Sequence, residues 1–272
     1  MSHEKRTLEF FVLSAFFALF VLFLYGPLSA ILILSFQGPD GGLTFPLNGV
    51  SLHWFGNLFE RQAVGDFGGS FRRSLVLGLM VMAVTVVVSL LAGLAFRRKF
   101  VGATPLFYLS VASLVVPSII ISLGIGVVFQ QLGFRPAWYS SAFGAHLTWT
   151  LPFGVLIMFA VFNRFSPSYE EAARDLGATS WQTFAHVVLP MIAPSLIGVG
   201  LFGFTLSYDE FARTLMTSGT YNTLPLEIYG MTTNVTTPVL YALGTVTTLF
   251  SFLVIVATLG AIMLVNRRRV QG

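Results

Sequence analysis

The sequence has no cysteine, and only 10% of its 272 residues are charged. Without cysteine the chain forms no disulfide and no thiolate metal site. Soluble globular proteins carry about 25% charged residues, so this chain does not form an ordinary water-facing surface. Because 55% of its residues are hydrophobic, we expect most of the surface to face lipid or another subunit.

Lysine is also scarce, since Lys5 and Lys99 are the only two. Neither lies in the pattern G-x-x-x-x-G-K-[ST], which binds nucleotide phosphates. Any ATP hydrolysis would therefore have to come from a separate subunit. The four histidines lack the spacing of metal ligands, and no set of nucleophile, base and orienting group is evident. We predict no enzymatic activity, no cofactor and no metal site.

Long stretches without charge divide the chain. A bilayer core of about 30 Å needs about 20 apolar residues in a helix. Six stretches are long enough, which predicts an all-α membrane protein with six transmembrane helices. The predicted spans are roughly 10–36, 73–96, 105–130, 138–163, 191–213 and 239–265.

The basic residues predict how the spans are oriented. The net charge of +4 comes from short basic clusters beside apolar segments, which indicates topology rather than nucleic-acid binding. Ten of the 15 basic residues fall on one side, which we take as cytoplasmic: Lys5, Arg6, Arg97, Arg98, Lys99, Arg164, Arg174, Arg267, Arg268 and Arg269. Both termini are then cytoplasmic, and the Gly- and Pro-rich loop 37–71 lies outside with a short helix.

The loop at about 164–190, between the fourth and fifth spans, has an unusual pattern. Four charged residues crowd into six positions, and they are Glu170, Glu171, Arg174 and Asp175. We predict a short helix at 169–176 that ends at Gly177, and a second helix at 180–188. Small residues at Ala172 and Ala173 permit close approach of another surface, and the four charges keep the exposed part solvated. The pattern favours a rigid knob that enters a groove of a partner.

The segment EAARDLGATSWQTFAHVVLP resembles the signature E-A-A-x3-G-x9-I-x-L-P of permease subunits of ATP-binding-cassette importers. Glu171, Ala172, Ala173, Gly177, Leu189 and Pro190 match it, and Val187 replaces the isoleucine. The resemblance implies a type I importer permease fold along 1–272, in the inner membrane of a bacterial cell. It also implies that the following residues couple the permease to an ATPase subunit: Glu170, Glu171, Ala172, Ala173, Arg174, Asp175, Leu176, Gly177, Ala178, Leu189 and Pro190.

The same resemblance implies the partners of the chain. These are a second permease subunit, two ATPase subunits, a periplasmic solute-binding protein and membrane lipid. The segments FTLSYDEFARTLMTSG, TLPLEIYGM and TPVLYALGT are similar to the subgroup that imports spermidine and putrescine. Related subgroups import ferric iron, thiamine, phosphonates or opine-like solutes, and these alternatives stay open. A polyamine or similar organic cation is the first hypothesis for the solute.

Tyr208, Asp209 and Glu210 are candidates for the substrate pathway, because acidic residues near membrane depth are costly and mark functional sites. Carboxylates beside an aromatic ring suit an organic ammonium. In the alternative interpretation, Asp209 or Glu210 pairs with Arg213 at helical spacing, at the rim of the membrane. His146 is either a solute or proton group or a hydrogen-bonded packing residue, and the sequence favours packing.

Two other classes of protein compete with the importer permease. A secondary transporter driven by an ion gradient would have inverted repeats and paired broken helices, which the sequence does not reveal. An intramembrane enzyme would need a catalytic set within its spans.

Overall fold

The structure is a computed structural model that describes residues 8–60, 65–98, 100–234 and 237–271. Within these residues every extended element of regular structure is helical, and the one β feature is an isolated bridge between Gln37 and Val50. The predicted all-α fold is confirmed. The helices are α1 (Leu8–Leu34), α2 (His53–Asn57), α3 (Phe67–Phe96), α4 (Ala103–Ala112), α5 (Ser118–Gln131), α6 (Phe143–Asn163), α7 (Ser168–Asp175), α8 (Ser180–Thr183), α9 (Leu189–Tyr208), α10 (Leu224–Asn234) and α11 (Val239–Gln271).

Two π-helical turns extend these helices. Trp138–Ala142 leads into α6, and Phe184–Val188 joins α8 to α9. The described residues form two compact units. The first unit consists of the described residues within 1–65 and 230–250, and the second of those within 66–229 and 251–272.

The first unit contains α1, the loop that follows it and the beginning of α11. Nearly all side chains of α1 are exposed and apolar around the whole helix, which is typical of a helix that faces lipid or a partner helix. In the loop, the Gln37 side chain donates a hydrogen bond to the carbonyl of Gly42 and accepts one from the backbone of Asn48 (3.1 and 2.7 Å). The expected short helix of this loop is α2.

The core of the second unit lies among α3, α6 and α9. Its buried side chains include Met158, Phe162, Ile192 and Val199. Small residues bring the helices close together: a Cβ at Gly154 would lie 2.1 Å from Ser89 Oγ. In membrane helices, such small residues permit close backbone approach and good van der Waals packing.

The third predicted span is not a continuous helix. The structure divides it into α4 and α5, of 10 and 14 residues. At 1.5 Å per residue these helices are about 15 and 21 Å long, shorter than a bilayer core. Pro117 precedes α5, and proline disfavours helix in the residue before it. The region predicted as a span at 105–130 is therefore helical but divided into two shorter helices.

The other five predicted spans correspond to continuous helices. By length and composition, five helices of the described chain are able to cross a membrane: Leu8–Leu34, Phe67–Phe96, Trp138–Asn163, Ser180–Tyr208 and Val239–Leu264.

The fifth span begins and ends earlier than the predicted 191–213. Its helical run starts at Ser180, where Thr179 and Gln182 form a capping box: the Gln182 N–H donates to Thr179 Oγ1, and the Thr179 N–H donates to Gln182 Oε1. This reciprocal cap satisfies backbone donors that a helix start otherwise leaves without partners. At its other end the helix stops at Tyr208, so residues 209–213 of the predicted span lie beyond it.

Candidate functional site

The candidate coupling residues form a short helix and the turn that follows it. Helix α7 (Ser168–Asp175) agrees with the predicted helix, and Gly177 has a φ of 86°. A left-handed conformation costs L-residues with a Cβ about 1–2 kcal/mol, so glycine suits this position. The turn leads directly to the cap at Thr179 and into α8.

The surface of this region is largely exposed and partly apolar. Leu176 is 90% exposed and Trp181 is 72% exposed. The Glu171 side chain forms no hydrogen bond or ion pair with another described residue, and its backbone N–H donates to the Pro167 carbonyl at 3.1 Å. The other exposed coupling candidates are Ala172, Arg174, Asp175, Gly177 and Pro190, and the half-buried ones are Ala173, Ala178 and Leu189. Apolar and charged side chains are therefore exposed together on this surface.

Glu170 does not share the exposure of its neighbours. Its carboxylate accepts two hydrogen bonds from the Arg97 guanidinium, from Nη1 to Oε1 at 2.9 Å and from Nη2 to Oε2 at 2.7 Å. These hydrogen bonds hold the pKa of Glu170 below its ordinary value and raise the pKa of Arg97. The expectation that all four charges of the loop are solvated was therefore wrong for Glu170.

Aromatic rings surround the Arg97 guanidinium. Its central carbon lies 5.2 Å from the ring centroid of Phe162 and 5.4 Å from that of Phe165, within the range of cation–π attraction. Arg97 directly follows α3, Phe162 belongs to the end of α6, and Glu170 belongs to α7. The ends of three helices thus meet at one arginine.

The second candidate region, Tyr208 to Glu210, lies at the other end of α9. The Tyr208 side chain is buried and its ring stacks on Phe204, with centroids 5.7 Å apart. Asp209 follows the helix and is exposed, whereas Glu210 is half-buried. These three consecutive residues therefore have different environments.

Glu210 pairs with Arg213. The distance from Arg213 Nη1 to Glu210 Oε2 is 3.4 Å, and the Arg213 N–H donates to Glu210 Oε1 at 2.9 Å. The interpretation of Glu210 as a partner of Arg213 therefore describes this structure. The two side chains of the pair are 1% and 9% exposed, so both are largely buried within the chain.

Arg213 also contacts residues of α5 and α6. Its Nη1 donates to Ser118 Oγ at 2.6 Å, its Nε donates to Thr148 Oγ1 at 3.4 Å, and its guanidinium lies 4.5 Å from the Trp149 ring centroid. Sequence reasoning missed this network because Ser118 lies 95 residues away. Hydroxyl groups within the hydrophobic stretches were the only available signal.

His146 belongs to the same buried polar region. Its Nδ1 lies 2.8 Å from Ser207 Oγ, and its Nε2 lies 3.0 Å from Thr214 Oγ1. Both ring nitrogens therefore have hydroxyl partners. This geometry agrees with the interpretation of His146 as a hydrogen-bonded packing residue.

The segment after Arg213 is not a regular helix, yet its residues Thr214, Thr217 and Ser218 are buried. Ser122 Oγ donates to the Arg213 carbonyl at 2.9 Å, and Ser141 Oγ donates to the Thr217 carbonyl at 2.6 Å. Irregular backbone is tolerated at membrane depth only when protein or water satisfies its polar groups. Side-chain hydroxyls of α5 and of the π turn before α6 satisfy two of these groups here.

Comparison with known proteins identifies the family. A family model described as the inner membrane component of binding-protein-dependent transport systems matches residues 85–271. The chain belongs to this family. It is the permease component of an ATP-binding-cassette importer, and it is a multi-pass membrane protein. Permeases of this kind are not themselves catalytic.

Curated relatives of the permease extend over nearly the whole chain. It is 26% identical over 249 residues to the spermidine/putrescine transport system permease protein PotC of Haemophilus influenzae, covering 91% of this chain and 95% of the relative. It is also 26% identical to PotC of Escherichia coli strain K12, covering 92% of each chain. The putrescine transport system permease protein PotI of the same strain is 28% identical over 231 residues, covering 82% and 80%. The resemblance to this subgroup is confirmed.

Solved structures share the fold of the permease. A chain of a bacterial transporter for the acidic polysaccharide alginate superposes with a TM-score of 0.69 at 15% identity, covering 96% of this chain and 99% of the other. A chain of the methionine transporter MetNI gives a TM-score of 0.58 at 17% identity, covering 73% and 95%. At such low identity these likenesses establish the fold alone.

Proposed function

We propose that this permease forms part of the membrane pathway by which an importer passes a polyamine, or a similar small organic cation, into the cytoplasm. The observation that carries the proposal is the similarity over about nine-tenths of both chains to permeases named for spermidine and putrescine transport. Permeases for ferric iron, thiamine, phosphonates or opine-like solutes are the alternative within the same class.

The exposed carboxylate of Asp209 is the group that we propose for contact with the cationic solute. Glu210 is engaged by Arg213, so its negative charge is largely compensated within the chain. Tyr208 is buried, and its ring would reach a solute only after a rearrangement. Asp209 is exposed and adjacent to both. Among the three pathway candidates, Asp209 therefore has the charge and the access that binding of an ammonium group requires.

The exposed surface of α7 and the following turn is the proposed docking surface for an ATPase subunit. The surface continues to Trp181 at the start of α8, and it exposes the apolar side chains of Leu176 and Trp181 as well as the charge of Glu171. A short helix with this mixture suits insertion into a groove of a partner. In this proposal two ATPase subunits bind the permease pair, and ATP-driven closure of the ATPases moves α7.

The remaining partners follow from the same proposal. The chain works with a second permease subunit, either homologous or identical, and receives solute from a periplasmic binding protein. One similar solved structure is an alginate transporter in complex with a periplasmic protein that carries an alginate pentasaccharide, which supports such an arrangement in general. The loop at 164–190 and both termini are cytoplasmic in this proposal, because most basic residues lie on that side.

Uptake by the purified complex tests the proposed function. The complex is isolated gently, its subunits are identified by mass spectrometry, and it is reconstituted into vesicles with the binding protein outside and ATP inside. We expect ATP-dependent uptake of radiolabelled putrescine or spermidine that persists when ion gradients are collapsed. Uptake that follows an ion gradient without ATP would indicate a secondary transporter. ATP-dependent uptake of thiamine or ferric iron, but of no polyamine, would overturn the solute assignment alone.

A further inference from the structure

We propose that Arg97 is a positioning residue for coupling, because its ion pair with Glu170 ties α7 to the adjoining ends of α3 and α6 so that the three move together. The inference rests on the proposed docking of an ATPase subunit at α7. It adds a noncovalent connection from α7 to the ends of α3 and α6, beside the covalent chain at 164–167 that joins α7 to α6 and the turn at 176–179 that joins it to α8.

The geometry of the ion pair makes it a stiff connection. Two parallel hydrogen bonds of 2.9 and 2.7 Å join the planar guanidinium of Arg97 to the planar carboxylate of Glu170. A bidentate pair fixes the relative orientation of its two groups as well as their distance. The Arg97 and Glu170 side chains are only 21% and 17% exposed, so solvent screens the pair less than an ordinary surface pair.

The arginine also contacts the core of the second unit. Its guanidinium lies over Phe162, which is buried among α3, α6 and α9, and over the half-buried Phe165. The adjoining helices are closely packed, because a Cβ at Gly93 of α3 would lie 2.8 Å from the Phe162 ring. Tightly packed interiors transmit displacement instead of absorbing it. A movement of Glu170 would therefore be transmitted through Arg97 to both α3 and α6.

The sequence positions agree with a connection of this kind. Glu170 immediately precedes Glu171, the first residue of the matched signature. The Glu170 side chain contacts Arg97 at the end of α3, whereas Glu171 is exposed. Two adjacent glutamates thus have separate assignments: Glu171 belongs to the proposed docking surface, and Glu170 belongs to the internal connection. Glu170 also lies in the first turn of α7, where a negative charge is favourable to the helix dipole.

The ratio of solute taken up to ATP hydrolysed tests the connection. The variants Arg97→Gln and Glu170→Gln are compared with the charge swap Arg97→Glu with Glu170→Arg, in the complete complex reconstituted into vesicles. Arg164→Gln is the matched control, since Arg164 is an exposed arginine directly after α6. We expect both single variants to lower the ratio at least fivefold while ATP hydrolysis persists. The swap should recover at least half of the wild-type ratio, and the control should equal the wild type.

The other outcomes also decide for or against the inference. Wild-type ratios in both single variants would overturn it and leave the proposed importer function intact. If the single variants do not assemble, the swap decides: assembly with a restored ratio supports the connection, and failure to assemble or to couple overturns it. A wild-type complex without any ATP-dependent uptake would overturn the proposed function itself, and the inference with it.

Discussion

Arg213 and Glu210 form an ion pair whose side chains are 1% and 9% exposed, directly beyond the end of α9. The same arginine donates a hydrogen bond to Ser118, the first residue of α5. The pair therefore connects the segment after α9 to α5, the second half of the divided third span. Such a connection makes the buried, irregular segment after Arg213 part of the folded core of the second unit.

Breaking this pair from one side should destabilise the protein strongly. Arg213→Gln leaves the Glu210 carboxylate buried without its cation, and removal of one partner of a buried pair costs about 3–5 kcal/mol. We expect a clear fall in the thermal unfolding temperature of the purified permease complex. Asp209→Asn is the control, because Asp209 is exposed, and its unfolding temperature should match the wild type. Equal unfolding temperatures for Arg213→Gln and the wild type would contradict a structural role of the pair.

Asp209→Asn should instead reduce uptake of a cationic solute. The amide keeps the size of the side chain and removes its charge, so a bound ammonium loses about 1–3 kcal/mol, as for hydrogen bonds to charged groups. Uptake at low solute concentration should fall, while basal ATP hydrolysis and assembly persist. Asp40→Asn serves as the control, since Asp40 is an exposed carboxylate in the loop after α1. If Asp209→Asn, Glu210→Gln and Arg213→Gln all retain wild-type uptake of every tested cation, the proposed site and the cationic solute are both wrong.

Substitutions in the turn after α7 should impair coupling. Gly177 has a φ of 86°, which proline does not adopt, so Gly177→Pro should distort the turn between α7 and α8. Glu171→Lys reverses an exposed charge on the proposed docking surface. Both variants should insert into the membrane normally and lose most solute uptake and solute-stimulated ATP hydrolysis.

Gly198→Ala is the control for the turn, because a Cβ at Gly198 in α9 meets no atom within 4 Å. Its activity should equal that of the wild type. Normal coupled activity in both Gly177→Pro and Glu171→Lys would remove the assignment of this surface to the ATPase.

Cysteine labelling measures the orientation of the chain. The native sequence has no cysteine, so a single introduced thiol is the only labelled group. Ser180→Cys should react with a membrane-impermeant maleimide only from the cytoplasmic side, and Gly42→Cys only from outside. Both positions are exposed in the structure. Labelling from the opposite sides would reverse the orientation drawn from the basic residues.

Gly154 tests the close contact between α6 and α3. Alanine at this position would place a Cβ 2.1 Å from Ser89 Oγ and 3.0 Å from Ser89 Cβ, so the hydroxyl has to rotate away and the surrounding side chains have to move by a few tenths of an ångström. Overpacking of this kind costs about 1–3 kcal/mol, and the unfolding temperature of Gly154→Ala should fall. Gly144→Ala in the same helix meets no atom within 4 Å and should not lower the unfolding temperature. Two equally stable variants would show that the contact adapts without strain.

Local patterns in the sequence determined the helical class, the positions of most spans and the matched signature. A charge-free run of sufficient length predicts a membrane helix from its own residues, and Gly177 predicts the end of α7 in the same way. The division between α4 and α5 and the start of the fifth helix at Ser180 also had local signals, in Pro117 and in the Thr179–Gln182 cap. The division could have been predicted and was not, whereas a helix start at Ser180 was predicted, but for a separate loop helix at 180–188 instead of for the fifth span.

The tertiary structure alone decided which polar groups pair. Glu170 meets Arg97 across 73 residues, and Arg213 meets Ser118 across 95 residues. Helices that are apolar around most of their circumference do not reveal which face packs inward, so their sequences leave such pairings open. Burial then makes each pairing consequential, because a charged group removed from water requires a partner within the fold. The sequence therefore shows where the acidic residues stand, but not which of them have partners. Packing decided that Glu170 and Glu210 each pair with an arginine. The neighbouring Glu171 and Asp209 stay exposed.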